Sequence, residues 1–282
     1  VRSSSNPAFR RLPTRNAAYG GFGPNVGFNE PQGGVPGYGP PQAPAGSADR
    51  PMTVDDVVIK TGLSLGVALL TGVITAFWAQ TQLTLNSAGQ VVGVSGALIG
   101  ALVGGMLVGL VLSLVMIFRQ KPSGVMTLLY SAAEGVFLGA ISGLFEIVYP
   151  GIALQAIVGT AGVFIGMLIV YKTGAVKVTP KLTKWIVGAV VGVAILMLVN
   201  LITSFFGFNP LRDGGPIAII FSLVVIGIAA FSFLLDFNMA DEMIREGMPS
   251  KWAWFAAFGL MTTLVWLYLE ILRLLSYLQS SD

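Results

Sequence analysis

Leu264-Val-Trp-Leu-Tyr-Leu-Glu-Ile-Leu-Arg-Leu-Leu-Ser-Tyr-Leu278 is an apolar run carrying one acid, Glu270, and one base, Arg273. It predicts a membrane-spanning helix. A carboxylate in hydrocarbon costs about 2.5–3.5 kcal/mol on insertion scales, so it is retained where it faces a bundle interior or a water-filled path. Arg273 lies three residues on and shares a helical face with Glu270, which allows an intrahelical ion pair. Glu270 is therefore read in two ways: as half of a structural pair, or as a proton or cation site. The rest of the chain must supply what it faces.

The composition agrees with a membrane setting. The 282 residues are 54% apolar and only 10% charged, with a mean hydropathy of +0.79. That is too little charge to cover a soluble surface, and it implies a polytopic helical membrane protein. Residues 1–50 hold five arginines against Glu30 and Asp49, which accounts for the whole net charge of +3. The basic balance thus belongs to a tail, whose expected partner is an anionic membrane surface. The absence of Cys excludes disulfides and thiolate metal sites. The absence of His excludes histidine metal ligation, Ser-His catalysis and the usual physiological pH switch. Proton chemistry falls to Asp and Glu. No cofactor and no nucleic acid partner is indicated, and the chain is not read as an enzyme.

Taken in order, residues 1–50 are rich in Gly, Pro, Ser and Gln, with Arg2, Arg10, Arg11 and Arg15 interspersed. They lack the apolar surface to fold and are expected to be a disordered cytoplasmic tail. Residues 51–282 form the membrane domain. Thr53-Val-Asp-Asp56 is a helix start, with Thr53 as N-cap and two acids in the first turn. Seven apolar segments follow, at about 57–79, 91–118, 125–147, 151–171, 184–206, 215–237 and 252–278.

Loop charges set the expected orientation. Lys60, the 119–121 pair, the four lysines of 172–184, Arg245 and Lys251 all fall on the side of the tail, while 80–90 and 148–150 hold no base and 207–214 holds Arg212 alone. The positive-inside rule then places the N-terminus in the cytoplasm and the C-terminus outside. Glycines recur at four-residue spacing: Gly62/Gly66, Gly96/Gly100/Gly104, Gly105/Gly109, Gly135/Gly139/Gly143, Gly162/Gly166 and Gly188/Gly192. They are read as close packing inside one bundle rather than as a dimer seam.

Few ionisable residues fall inside the segments. Glu134 lies near the middle of the third, in Tyr130-Ser-Ala-Ala-Glu-Gly-Val-Phe-Leu-Gly139. Asp236 lies near the inner end of the sixth, in Ser232-Phe-Leu-Leu-Asp-Phe-Asn238, and Glu146 near the outer end of the third. Two carboxylates in one dry site cannot both ionise cheaply and titrate as a unit, which lets a chain without histidine sense pH. Carboxylates are also the ligands that hard cations such as calcium choose. Against this stand the plainer readings: Glu134 as a neutral, hydrogen-bonded acid beside Gly135, and Asp236 as a helix-end residue in interfacial water. No Lys lies inside a segment, so a retinal Schiff base is excluded, and no nucleotide motif supports a pump.

At Leu234-Leu-Asp-Phe237 and Leu267-Tyr-Leu-Glu-Ile-Leu272 the chain resembles the transmembrane Bax-inhibitor-motif family, the Bax inhibitor/YccA group. Arg2-Ser-Ser-Ser-Asn-Pro7, Glu134-Gly-Val-Phe-Leu-Gly-Ala-Ile-Ser142 and Trp266-Leu-Tyr-Leu-Glu270 resemble its actinobacterial branch. The resemblance implies a seven-helix bundle with the last helix central. It also implies a pH-sensitive calcium leak of the bacterial inner membrane, governed by two acids on helices six and seven that share a proton. Asp236 matches the first acid. Glu270 stands where the family has Asp, so its longer arm changes the geometry of the pair. The YccA branch implies a different function, a membrane-embedded regulator of a quality-control protease complex, working through the tail and loops.

Spacing tests the pair. Asp236 lies eleven residues before Gly247, and Glu270 twenty after Ser250. If two straight antiparallel helices turn there, the acids sit roughly 13 Å apart in depth. If they do not meet, Glu134 is the alternative partner for Glu270.

Overall fold

The computed structural model describes residues 50–280 except 88–90, 208–210, 212 and 213. Of the expected tail, 1–50, residues 1–49 lie outside the described residues. Seven helices are long and apolar enough to cross a membrane, and the molecule is a helical membrane bundle.

Helix α1 (Val54–Thr81) starts at a reciprocal capping box. The Thr53 hydroxyl accepts from the Asp56 backbone N–H, and the Asp56 carboxylate accepts from that of Thr53. A short antiparallel hairpin, β1 (Leu83–Leu85) and β2 (Val91–Val94), leads into α2 (Gly96–Arg119), capped by Ser95. Helix α3 (Gly124–Val148) is capped by Ser123 and turns tightly into α4 (Ile152–Thr173). Helix α5 (Pro180–Ser204) has Thr179 as cap and proline in its first turn. Helix α6 (Pro216–Arg245) ends where Gly247 takes a left-handed φ of +66°. A 3₁₀ turn at Ser250–Trp252 opens α7 (Ala253–Ser280).

Two boundaries differ from expectation. Val91-Val-Gly-Val94 does not begin the second membrane helix. Its β-branched residues pair with β1 instead. The sixth segment, expected to end near 237, runs on to Arg245. Asn238, Asp241, Glu242 and Arg245 continue the helix as a polar extension in which Asp241 pairs with Arg245 at 2.6 Å. Asp236 is therefore well inside α6, not at its end.

Helix α7 is the centre of the bundle. Of its most apolar 18-residue window 67% is buried, against 11–39% for the other six helices. It packs on α6, α1, α4 and α3, whereas α2 leans on α3, and α5 on α6. Small residues on α7 make room for this. Ala253, Ala256 and Ala257 are buried near its start, and Leu260, Leu267 and Leu272 fill the core further on.

The glycine spacing divides into two classes, which corrects the reading of all of it as internal packing. On α3 a Cβ at Gly135 would strike the Ala68 carbonyl, and one at Gly139 would strike the Gly72 backbone, so α1 and α3 touch backbone to backbone. At Gly105 and Gly109 of α2 a Cβ would meet α3. By contrast, Gly62/Gly66, Gly96/Gly100/Gly104, Gly162/Gly166 and Gly188/Gly192 have open space around them.

The beginning of the described chain is stitched to the α6–α7 connection. Pro51 bridges Pro249, Met52 N–H donates to the Met248 carbonyl at 2.7 Å, and Ser250 N–H donates to that of Arg50 at 2.8 Å. Arg50 grips Asp56 through both terminal nitrogens at 2.6 and 2.8 Å. Lys60 donates to the Ser250 carbonyl and lies 5.6 Å from the Trp254 ring.

Candidate functional site: acids around the central helix

The α6–α7 hairpin decides which acids meet. Asp236 lies nine residues before the end of α6, and Thr263 ten after the start of α7, so the two arrive at one level. The Thr263 hydroxyl donates to Asp236 Oδ2 at 2.6 Å. Glu270 lies seven residues beyond Thr263, roughly 10 Å further along the axis. The structure thus does not bring Asp236 and Glu270 together. The physical reason is a simple hairpin whose arms are equally long up to Thr263.

Glu270 has a different neighbourhood. It is 1% exposed, and Arg273 Nη1 donates to both its carboxylate oxygens at 2.9 Å. The expected intrahelical ion pair is therefore present. Arg273 also reaches the space among Met197 and Asn200 of α5, Leu211, and Phe221 of α6. Burial of such a pair is tolerated because each charge has its opposite within contact.

Glu134 does not approach Glu270 either. Helices α3 and α7 run parallel: Thr127 donates to the Trp254 carbonyl, and Ser142 and Tyr268 share a hydrogen bond of 2.6 Å. On this register Glu134 is level with Met261, roughly 13 Å from the level of Glu270. It lies beside the Tyr130 hydroxyl and against Gly109 of α2, where a Cβ would come within 2.7 Å of its Oε1. Tyr130 in turn hydrogen-bonds Thr262 of α7 at 3.3 Å.

A polar belt follows from these contacts. Glu134 and Tyr130 stand on the α3 side of the central helix, Asp236 on the α6 side. The adjacent hydroxyls of Thr262 and Thr263 face one each. Asp236 and Glu134 are both partly buried, and neither has an ion-pair partner among the described residues. Sequence reasoning found the two acids but missed Thr262, Thr263 and Tyr130. The available signal was the Thr-Thr doublet inside an otherwise apolar run about two turns before Glu270.

Chemically, the belt offers oxygen donors to a hard cation, Asp236 with Thr263 and Glu134 with Tyr130. Among the described residues no three acidic side chains converge on one point. A cation would meet one carboxylate at a time, too few charged ligands to hold it tightly.

A family model described as Bax inhibitor 1 like matches residues 6–280. No curated protein matches the chain.

Proposed function

The chain belongs to the Bax inhibitor 1 like family, and on that premise we propose that it is a passive, pH-sensitive cation pathway, with calcium as the preferred ion, in a bacterial inner membrane. One observation carries the reading: two acids, Asp236 and Glu134, flank the central membrane helix at one level without an ion-pair partner among the described residues. Acids kept in such a place are functional by default, because a charge without a partner or water is costly there. Protonation removes that cost and removes the attraction for a cation. The same groups therefore serve as ligands and as pH sensors.

Glu270 and Arg273 form a second station two turns further along α7. Their ion pair neutralises the acid, and a proton or a competing cation at Glu270 frees Arg273. Proton occupancy at both stations biases how α7 sits among its neighbours, and a differential energy of a few kcal/mol is enough to shift such an equilibrium. The tail end of the bundle lies in the cytoplasm on this reading, in keeping with the bases gathered there.

The test is calcium flux through the purified protein in liposomes, followed from pH 5 to 8. The expected result is a pH-dependent flux that Asp236→Asn and Glu134→Gln each displace and that the double variant flattens. Wild-type protein that passes no cation at any pH would sink the reading and move the protease-regulator function ahead of it.

A further inference from the structure

The space between α1 and α4 has no part in the belt. The two helices stand apart, with α3 and α7 forming the floor between them, and the resulting groove has a volume of about 540 Å³. Its walls are apolar: Leu69, Val73 and Phe77 on α1, and Leu154, Ile157 and Ala161 on α4. The rim faces outward, with Leu69 49%, Phe77 69% and Leu154 66% exposed. In a membrane-spanning bundle such a rim meets lipid tails, and an apolar groove of this kind excludes water.

The groove is polar at one end. Glu146 and Gln80 line it where α3 turns into α4. Glu146 is held there by the turn itself, since its carboxylate accepts from Gly151 N–H at 2.6 Å and from Ala153 N–H at 3.2 Å. It is the one charged residue lining the groove and has no ion-pair partner among the described residues. A carboxylate has about four acceptor positions, so two backbone donors leave room for a further one. Ser142 and Tyr268, deeper along the floor, satisfy each other.

We propose that the groove binds one acyl chain of a phospholipid whose primary-ammonium headgroup is taken by Glu146. The bilayer is the only source of hydrocarbon at that depth. The negative charge at the mouth selects a headgroup that can donate N⁺–H to a carboxylate over one that presents only negative charge. This inference is independent of the cation pathway and stands or falls separately from it.

The full-length protein is reconstituted in phosphatidylglycerol vesicles containing phosphatidylethanolamine with a photoreactive acyl chain, and crosslinks are mapped by mass spectrometry. Labelling of the 69–77 and 154–161 segments should saturate, and unlabelled phosphatidylethanolamine should compete for it about tenfold better than phosphatidylglycerol. Ala161→Trp, which fills the groove, should abolish this labelling. Labelling around Leu196 on the outward face of α5 should persist and report an intact fold. Glu146→Gln should keep the groove labelling and lose most of the headgroup preference. Groove labelling that does not saturate and survives Ala161→Trp would mean ordinary boundary lipid and overturn the proposal. Equal competition by the two lipids in the wild-type protein would overturn the assignment of the headgroup to Glu146.

Discussion

Thr263 is the residue on which the belt turns, because it is the hydrogen-bond partner that α7 gives Asp236. A hydroxyl donating to a carboxylate contributes about 1.5–3 kcal/mol, and it does so for the ionised form. Thr263→Val should therefore displace the pH midpoint of cation flux by roughly one unit or more, while Thr263→Ser, which keeps the donor, should leave it in place. Flux in liposomes at a series of pH values checks this, and an unmoved midpoint in Thr263→Val would remove Asp236 from the sensor. Tyr268 offers a contrast at the same scale. Its hydroxyl pairs with Ser142, which also donates to the Leu138 carbonyl. Tyr268→Phe should cost about 1 kcal/mol of stability with no change in the pH profile.

Among the elements, α1 and α3 form the closest pair, and glycine is the reason. Gly139 sits so near the Gly72 backbone that no side chain fits. Gly139→Ala must push the two helices apart and should lower stability by about 1–3 kcal/mol, visible as a reduced melting temperature in detergent. Gly100→Ala, on the open face of α2, should leave stability unchanged or slightly raise it through helix propensity. Equal effects at the two positions would show that backbone contact does not hold α1 to α3. Sequence spacing treats both glycines alike. Which stripe is internal depends on the rotation of each helix about its axis, and that is set by partners distant in the chain.

On the scale of the whole molecule, the clasp between residues 50–52 and 248–250 joins the first membrane helix to the hairpin that carries Asp236. Removal of residues 1–48 should leave a folded, flux-competent protein. Removal through Thr53 deletes buried Met52, the Arg50 grip on Asp56 and the α1 cap together, and should lower thermal stability clearly. Thermal unfolding of the two truncations makes the comparison, and equal stability would mean the clasp contributes nothing. Reporter fusions at Asp282 and within 172–184 should report opposite sides of the membrane. The same side for both would contradict an odd number of spans.

What the sequence determined by itself was the membrane class, the count of spans and the short inventory of acids inside them. Those properties follow from local composition: twenty apolar residues need a bilayer, and an acid among them stands out wherever it points. It also carried the Glu270–Arg273 pair, because residues three apart on a helix are neighbours whatever the rest of the fold does. The partners across helices were not legible in this way. The separation of Asp236 from Glu270 was legible only through their spacing from Gly247 and Ser250, because apolar patterning ends the sixth segment near 237 and does not register the two polar turns beyond it. Thr263, Thr262 and Tyr130 became part of the site only because α6 and α3 flank the central helix at one level. Contact between helices is a matter of register and rotation, and the chain encodes these through the packing of many side chains at once rather than through any one stretch.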